Sequence, residues 1–385
     1  MKILCAGGGS GGHVTPVAAV INELIALEPN LDVTFVCDKA FEVQARGVMT
    51  QNVRVPVTVH RIMAGKLRRY RHLSIAKQLT MARIVFPNIR DAFKVGIGFL
   101  QSVFLLARVR PDVVFAKGGY VCLPVGMAAK VLRIPLVIHD SDARPGLTNA
   151  ILGRWASAIA TGSPLENYHY RPEVSRYVGV PIGAEFRPYD ERRQRETKVA
   201  LGFDEHRPLI AITGGGLGAV SINTATLQDA PLLLAEGVQI FHITGRKNFD
   251  EVAMLADKDT SNHVVPFVFE GMADVLGAAD VVVSRASATF IQELAGLAKP
   301  TVLIPAKTLT DQHKNAEAYQ HADAAVVLTD DEITVPGSLY HAIHTLLNDA
   351  SRRQVLASNL HAFARPHAAR DVAKMIIETT RAHHN

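Results

Sequence analysis

The sequence predicts an α/β protein of two doubly wound, Rossmann-like domains with a cleft between them. Three observations carry this. Short apolar, β-branched runs alternate with segments of helical length throughout the chain. A strand running into a glycine-rich loop occurs once in each half. At 385 residues the chain exceeds the ~250–300 residues that one hydrophobic core can serve.

In the first half, residues 2–6, 33–37, 53–59, 112–116 and 135–139 read as strands. In the second half, residues 209–213, 238–243, 264–268, 280–284 and 301–305 repeat the pattern. Residues 16–27 and 287–297 are two of the helices between them. Pro181, Pro188 and a cluster of charges break the alternation at 179–195. This divides the chain into an N-terminal domain, 1–182, and a C-terminal domain, 183–365. A last helix over about 366–385 is expected to pack back on the first domain. Ligands of such sheets bind beyond the carboxyl ends of the strands, so facing sheets place a site in the cleft.

Composition narrows the function classes. With 48% hydrophobic and 20% charged residues the chain is neither disordered nor collagen-like. Cys5, Cys37 and Cys122 form no recurring spacing, which argues against a disulfide framework or a cysteine-based zinc site and suits a reducing compartment. Residues 3–6 are too short an apolar run for a secretory signal. No uninterrupted run reaches the ~18 apolar residues of a membrane span. The nearest, 95–107, is broken by Gln101 and Ser102. The formal charge of +5 divides into +11 over residues 1–180 and −6 over 181–385. A basic half suits phosphates or an anionic surface. Segment 61–94 holds nine Lys and Arg against Asp91, with Leu67, Ile75, Leu79 and Phe86 interleaved. That pattern reads as a membrane-surface element, and otherwise as a solvated helix face. It has too few aromatics for a nucleic-acid surface, so no nucleic acid is expected as a partner.

The first glycine loop, Gly7 to Gly12, lets the backbone approach a ligand and points helix N–H groups at it. Gly7, Gly9 and Gly12 also fit a dinucleotide-binding spacing, with Asp38 where a ribose-binding acid would lie. His13 follows at the helix start. The positive helix end keeps the imidazole neutral and able to accept a proton, so His13 is the candidate general base. Its alternative role is to hydrogen-bond the loop. In the second half, Ser287 is a candidate N-cap, Arg285 a candidate phosphate partner, and Glu293 a candidate acceptor for a ribose diol. On bare pattern, Glu293 reads first as a solvated helix residue. Asp311 and Gln312, after a strand, have the groups to read sugar hydroxyls or to cap the next helix. His139, Asp140 and Asp142 cluster, but no fourth ligand stands at a recognisable spacing, so no metal is predicted.

Taken in order, several motifs make the chain similar to a known family. They are Gly8-Gly9-Ser10-Gly11-Gly12-His13, Lys117-Gly118-Gly119-Tyr120-Val121, His139 with Gly146-Leu147-Thr148-Asn149, and Gly214-Gly215 with Gly218-Ala219. To these add Ala279 to Arg285 with Glu293, and Asp311-Gln312 with Asn315-Ala316. Over nearly its whole length the sequence resembles glycosyltransferase family 28. Within it, the likeness is to the GT-B enzymes that move N-acetylglucosamine from a UDP donor to lipid I in peptidoglycan synthesis. The resemblance implies an inverting transferase without a cofactor or bound metal, peripheral at the cytoplasmic face of the cell membrane. It implies UDP-GlcNAc and a polyprenyl-pyrophosphate-linked acceptor as partners.

It also implies roles. Ser10, Gly11 and Gly12 face donor and acceptor phosphates, with His13 as base. Gly118, Gly119 and Tyr120 lie on the acceptor side. The backbone of Val268 meets the uracil. Ser287, Ala288, Thr289, Phe290 and Glu293, with Arg285, hold diphosphate and ribose. Gln312 reads the donor sugar beside Asp311. Four positions depart from the family pattern. Asp142 replaces an Asn, Gly216-Leu217 a Ser-Gln, Phe290 a Thr, and Val180-Pro181-Ile182-Gly183 an Asn-Pro-x-Arg. These remove donor contacts and leave three alternatives open: another nucleotide sugar or lipid acceptor, a non-catalytic nucleotide-sugar-binding relative, or an NAD-dependent oxidoreductase.

Overall fold

The computed structural model describes all of the chain except residues 9–13, 68–79, 143–144 and 385. The described chain forms two compact units, Met1–Pro181 with His367–Asn385, and Ile182–Pro366. Each is a parallel sheet covered by helices on both faces.

In the first unit the strands are β1 (Lys2–Ala6), β2 (Asp32–Asp38), β3 (Val57–Ile62), β4 (Val113–Ala116), β5 (Leu136–Asp140), β6 (Ala158–Thr161) and β7 (Ser175–Tyr177). They lie in the order β3-β2-β1-β4-β5-β6-β7, the doubly wound arrangement. The period of two along β1 sorts its side chains between two cores. Ile3 and Cys5 join the cluster under α1 (Thr15–Leu27), while Leu4 and Ala6 join the opposite one. The three cysteines are free and buried.

The helices that matter to the site follow these strands. They are α2 (Glu42–Gln51), α3 (Ala82–Val109), α4 (Cys122–Val131) and α5 (Leu147–Leu152). β3 begins later than the predicted 53–59 because Pro56 has no N–H to give to a ladder. β6 and β7 escape sequence reading because Ala158–Thr161 is rich in small residues and Ser175–Tyr177 is short and polar.

Helix α3 corrects the expectation of no candidate span. Its segment Ile84–Val109 is long and apolar enough, by length and composition, to cross a membrane, with a mean hydropathy of 1.5. One face packs on α4 and buries Asp91 and Ser102. The chain before the helix comes so close that a Cβ on Gly98 would lie 1.9 Å from the Met63 carbonyl oxygen. The other face is open to solvent. There Phe86, Ile89, Phe93, Ile97, Leu100 and Phe104 recur at helical spacing, and the three phenylalanines are each 72% exposed.

The second unit opens with α6 (Glu191–Ala200). Its strands are β8 (Leu209–Thr213), β9 (Gln239–Ile243), β10 (Asn262–Val265), β11 (Val281–Ser284), β12 (Thr301–Leu303) and β13 (Val326–Val327). Their order is β10-β9-β8-β11-β12-β13. β10 stops before Val268 because Pro266 interrupts it. The helices are α7 (Val220–Ala235), α8 (Phe249–Leu255), α9 (Met272–Ala278), α10 (Ala288–Leu297), α11 (Thr310–His321), α12 (Ser338–Asn348) and α13 (Ala350–His361). The last helix, α14 (Ala368–His384), returns to the first unit, where Val372, Ala373 and Ile376 complete the core beside Val17 and Ile21 of α1.

Candidate active site

In the first unit the predicted residues gather at the carboxyl ends of β1, β2, β4 and β5. Ser10, Gly11, Gly12 and His13 lie outside the described residues. Gly8, the last described residue before them, lies where a Cβ would sit 2.6 Å from Val121 and 3.2 Å from Asp38 Oδ1. Only glycine fits that approach.

Asp38, the candidate ribose acid, has another use. Its Oδ2 accepts from the Tyr120 hydroxyl at 2.8 Å and from the Ala40 N–H at 3.3 Å. Its Oδ1 is buried without a hydrogen-bond partner among the described residues. Burial and the adjacent Asp38 push the Tyr120 phenol well above its ordinary range, so it stays protonated and donating. Gly118 and Gly119 turn the chain with φ of 108° and 83°, which places Tyr120 at the head of α4.

Beneath this turn lies a buried polar network that sequence reasoning missed. Lys117 is 1% exposed and donates to Ser141 Oγ. Burial lowers its pKa to about 8, opposed by the charges of Asp142 and Asp140. His139 Nε2 donates to the Gly179 carbonyl at 2.8 Å, and Asn149 Nδ2 donates to the His139 carbonyl at 3.1 Å. Asp140 accepts from Tyr170 at 2.7 Å, and burial, helped by Asp142, raises its pKa to about 7. The cluster of His139, Asp140 and Asp142 thus stands in a hydrogen-bonded network that includes two tyrosines. The Asp142 carbonyl accepts from Tyr168 at 2.5 Å. The sequence signals for this network were a lysine closing an apolar strand and the cluster of His139, Asp140 and Asp142, but not the bonds that join them.

In the second unit the site is built on β8, β11 and β12. The loop after β8 folds tightly. A Cβ on Gly214 would lie 2.2 Å from the Ala219 nitrogen, and Gly218 has a φ of 75° against the Thr244 carbonyl. Gly216 and Leu217 form the tip, with Leu217 exposed.

Arg285 departs from its expected role. Its guanidinium pairs with Asp330 at 2.7 Å and donates to Ser221 Oγ at 2.7 Å and the Ile304 carbonyl at 3.1 Å. Burial alone would raise Asp330, but the Lys307 N–H, Ser221 and Arg285 hold its carboxyl below the usual range. Arg285 therefore ties the start of α7 to the strand ends, and its charge is already matched.

Ser287 stands at the N-cap position of α10 with extended backbone (φ −80°, ψ 139°), but its side chain makes no cap. The first N–H groups of α10, at Ala288, Thr289 and Phe290, are those an anion at a helix start meets. Phe290 is half-buried against the unit's core. The reading of Glu293 as a solvated residue is overturned. It is 7% exposed, and burial, with Glu185 nearby, raises its pKa to about 8. Glu185 is a second feature the sequence did not reveal.

Asn315 Nδ2 donates to the Ala286 carbonyl at 3.1 Å, joining α11 to the turn before α10. Gln312 Oε1 accepts from the Ala306 N–H at 2.9 Å, which leaves its amide NH₂ as the group to meet a ligand. Asp311 is exposed in the first turn of α11. Val268 lies after β10 between Phe267 and Phe269, whose rings meet edge to face, with Arg246 stacked 4.7 Å over Phe269.

Both units have counterparts among known proteins. Residues 3–161 match the glycosyltransferase family 28 N-terminal domain, and residues 209–374 match its C-terminal domain. A UDP-N-acetylglucosamine--N-acetylmuramyl-(pentapeptide) pyrophosphoryl-undecaprenol N-acetylglucosamine transferase of Desulforudis audaxviator is 32% identical, over 98% of both chains. The Bacillus pumilus protein of the same name is 30% identical over 99% of this chain and 100% of its own. The crystal structure of Acinetobacter baumannii MurG superposes with a TM-score of 0.66 over 98% of this chain and 99% of that one, at 24% identity, a likeness of fold. By domain matches and full-length identity, the chain belongs to glycosyltransferase family 28 and, within it, to the MurG glycosyltransferases.

Proposed function

We propose that the protein transfers N-acetylglucosamine from UDP-GlcNAc to a polyprenyl-pyrophosphate-linked muramyl-pentapeptide, lipid I, forming lipid II at the cytoplasmic face of the cell membrane. The observation that carries this beyond family membership is Glu293. A carboxyl group 7% exposed, almost two turns into a helix whose start is uncapped, is pushed by burial toward its neutral form, and its charged form is costly without a ligand. A ribose diol repays it with two hydrogen bonds. The donor diphosphate then lies over Ala288–Phe290, where helix N–H groups and the helix dipole face it.

In the reaction, an acceptor hydroxyl gives its proton to His13 and attacks the anomeric carbon. The bond to UDP breaks with inversion, and the leaving diphosphate's charge is stabilised by the α10 start. Arg285 acts by tying the start of α7 to the strand ends beside that site. Gly118, Gly119 and Tyr120 serve the acceptor. The chemistry asks for no metal or cofactor.

Thermal unfolding tests the donor. UDP and UDP-GlcNAc are expected to raise the melting temperature, and NAD is expected to leave it unchanged, because only a ligand of the native state stabilises it. A shift with NAD alone overturns the assignment.

The lipid end of the acceptor requires the enzyme at a bilayer. The open stripe of α3 and the basic residues of segment 61–94 suit shallow insertion into an anionic surface, with about 1 kcal/mol from each basic residue near it. The protein is expected to co-float with anionic vesicles at low salt and to detach as salt rises. Reversing Arg68, Arg69 and Arg71, which lie outside the described residues, to Glu is expected to weaken flotation. Equal flotation on neutral vesicles at every salt concentration would remove the charge from this role.

A further inference from the structure

A groove of about 320 Å³ opens between β3 and α3, on the free edge of the first unit's sheet. Its polar lining is His60, Arg61, Gln101 and Arg108, and its apolar lining is Ile62, Phe104 and Leu105. Phe104 and Arg108 are one helical turn apart, so they share a face of α3. Arg61 meets Glu42 through a single N–H at 3.3 Å and is half exposed, and Glu42 is shared with Arg46. Gln101 uses its carbonyl to accept from the Met63 N–H at 2.7 Å, which leaves its NH₂ as a donor. Cationic and neutral donors thus line one part of the groove. Another part is Phe104, the last residue of the exposed α3 stripe.

We propose that this groove is a headgroup site for an anionic phospholipid, whose phosphate docks against Arg61 and Arg108 while its acyl chains follow the α3 stripe from Phe104. The proposal rests on the membrane-surface reading above. A water's share of liquid volume is about 30 Å³, so the groove has room for a phosphodiester headgroup and little more. Charge complementarity selects an anion. The apolar lining selects one with a hydrocarbon portion, because a soluble phosphate would leave Phe104 and the stripe beyond it in water. The diffuse charge of the basic half draws the protein to the surface, whereas this groove holds one lipid.

The test uses monomeric dihexanoyl phosphatidylglycerol titrated into the full-length protein by calorimetry. Dihexanoyl phosphatidylcholine and inorganic phosphate serve as comparison ligands. The expected result is saturable one-site binding of the anionic lipid, with the other two weaker by about 10-fold or more. The Arg61→Gln, Arg108→Gln double variant is expected to lose binding by a similar factor. A Lys39→Gln, Arg54→Gln variant, equal in charge and outside the groove, is expected to keep it. Unchanged melting temperatures verify that both variants are folded. Equal losses in the two variants would reduce the site to diffuse electrostatics. Phosphate binding as tight as the lipid's would make it a plain anion site. Wild-type protein that floats on anionic vesicles but does not bind the short-chain lipid overturns this site alone. Protein that floats on no vesicle overturns the membrane reading beneath it.

Discussion

Replacing His13 by alanine is expected to lower turnover by about 100-fold or more while UDP-GlcNAc affinity changes little. A general base acts on the acceptor hydroxyl as the transition state forms, so its loss falls on kcat and spares the ground-state donor complex. The pH profile supplies a second readout. A histidine must be neutral to accept a proton, so if His13 is the base, wild-type turnover should fall as pH drops through its titration. The His13→Ala profile should lose that limb. A variant with near-normal turnover on a lipid acceptor would move the base elsewhere. Asp142 is then the next carboxylate to test, because it stands where the family pattern has an amide.

Replacing Glu293 by alanine is expected to weaken UDP binding by ~1.5–3 kcal/mol, the loss of a charged acceptor from a buried diol. That is roughly a 10- to 150-fold rise in Kd by calorimetry. Unchanged affinity removes Glu293 from the site. The raised pKa sets the sign of two pH effects. Without ligand, Glu293 binds its proton up to about pH 8. If the ribose takes the carboxylate form, donor binding releases a proton below that pH and strengthens as pH rises toward it. Native stability runs the other way. The folded state holds this proton more tightly than the unfolded chain, so the associated stability is complete below the unfolded carboxyl pKa of 4.5 and is lost as pH climbs through about 8. Glu293→Gln should flatten both dependences.

These residues mark where the sequence is legible. The strands at 2–6 and 209–213 declared themselves because a sheet buried on both faces needs continuous β-branched or apolar runs, each ended here by glycine. β13 did not, because Val326–Val327 is too short to make a pattern. The type of residue at 293 was visible, but its burial was not. A helix glutamate has no period of its own, and Glu185 reaches it across more than a hundred residues of chain. Arg285 looked available for phosphate because Asp330 lies 45 residues away, and long-range ion pairs leave no trace in local spacing. The stripe on α3 has an evident helical period, but only the packing of its opposite face on α4 reveals which side stays open.

The return of α14 to the first unit reverses the order in which a ribosome can finish the two units. A nascent chain ordinarily completes its amino-terminal domain first. Here Ile182–Pro366 is fully synthesised, with every strand of its sheet available, while the sheet at the amino terminus still lacks Val372, Ala373 and Ile376. Those side chains cover α1 and leave the exit tunnel only after the whole of Ile182–Pro366, so the unit begun first waits, with apolar surface uncovered, for α14. Proteolysis between Pro366 and α14 would therefore damage the amino-terminal sheet and leave Ile182–Pro366 able to fold.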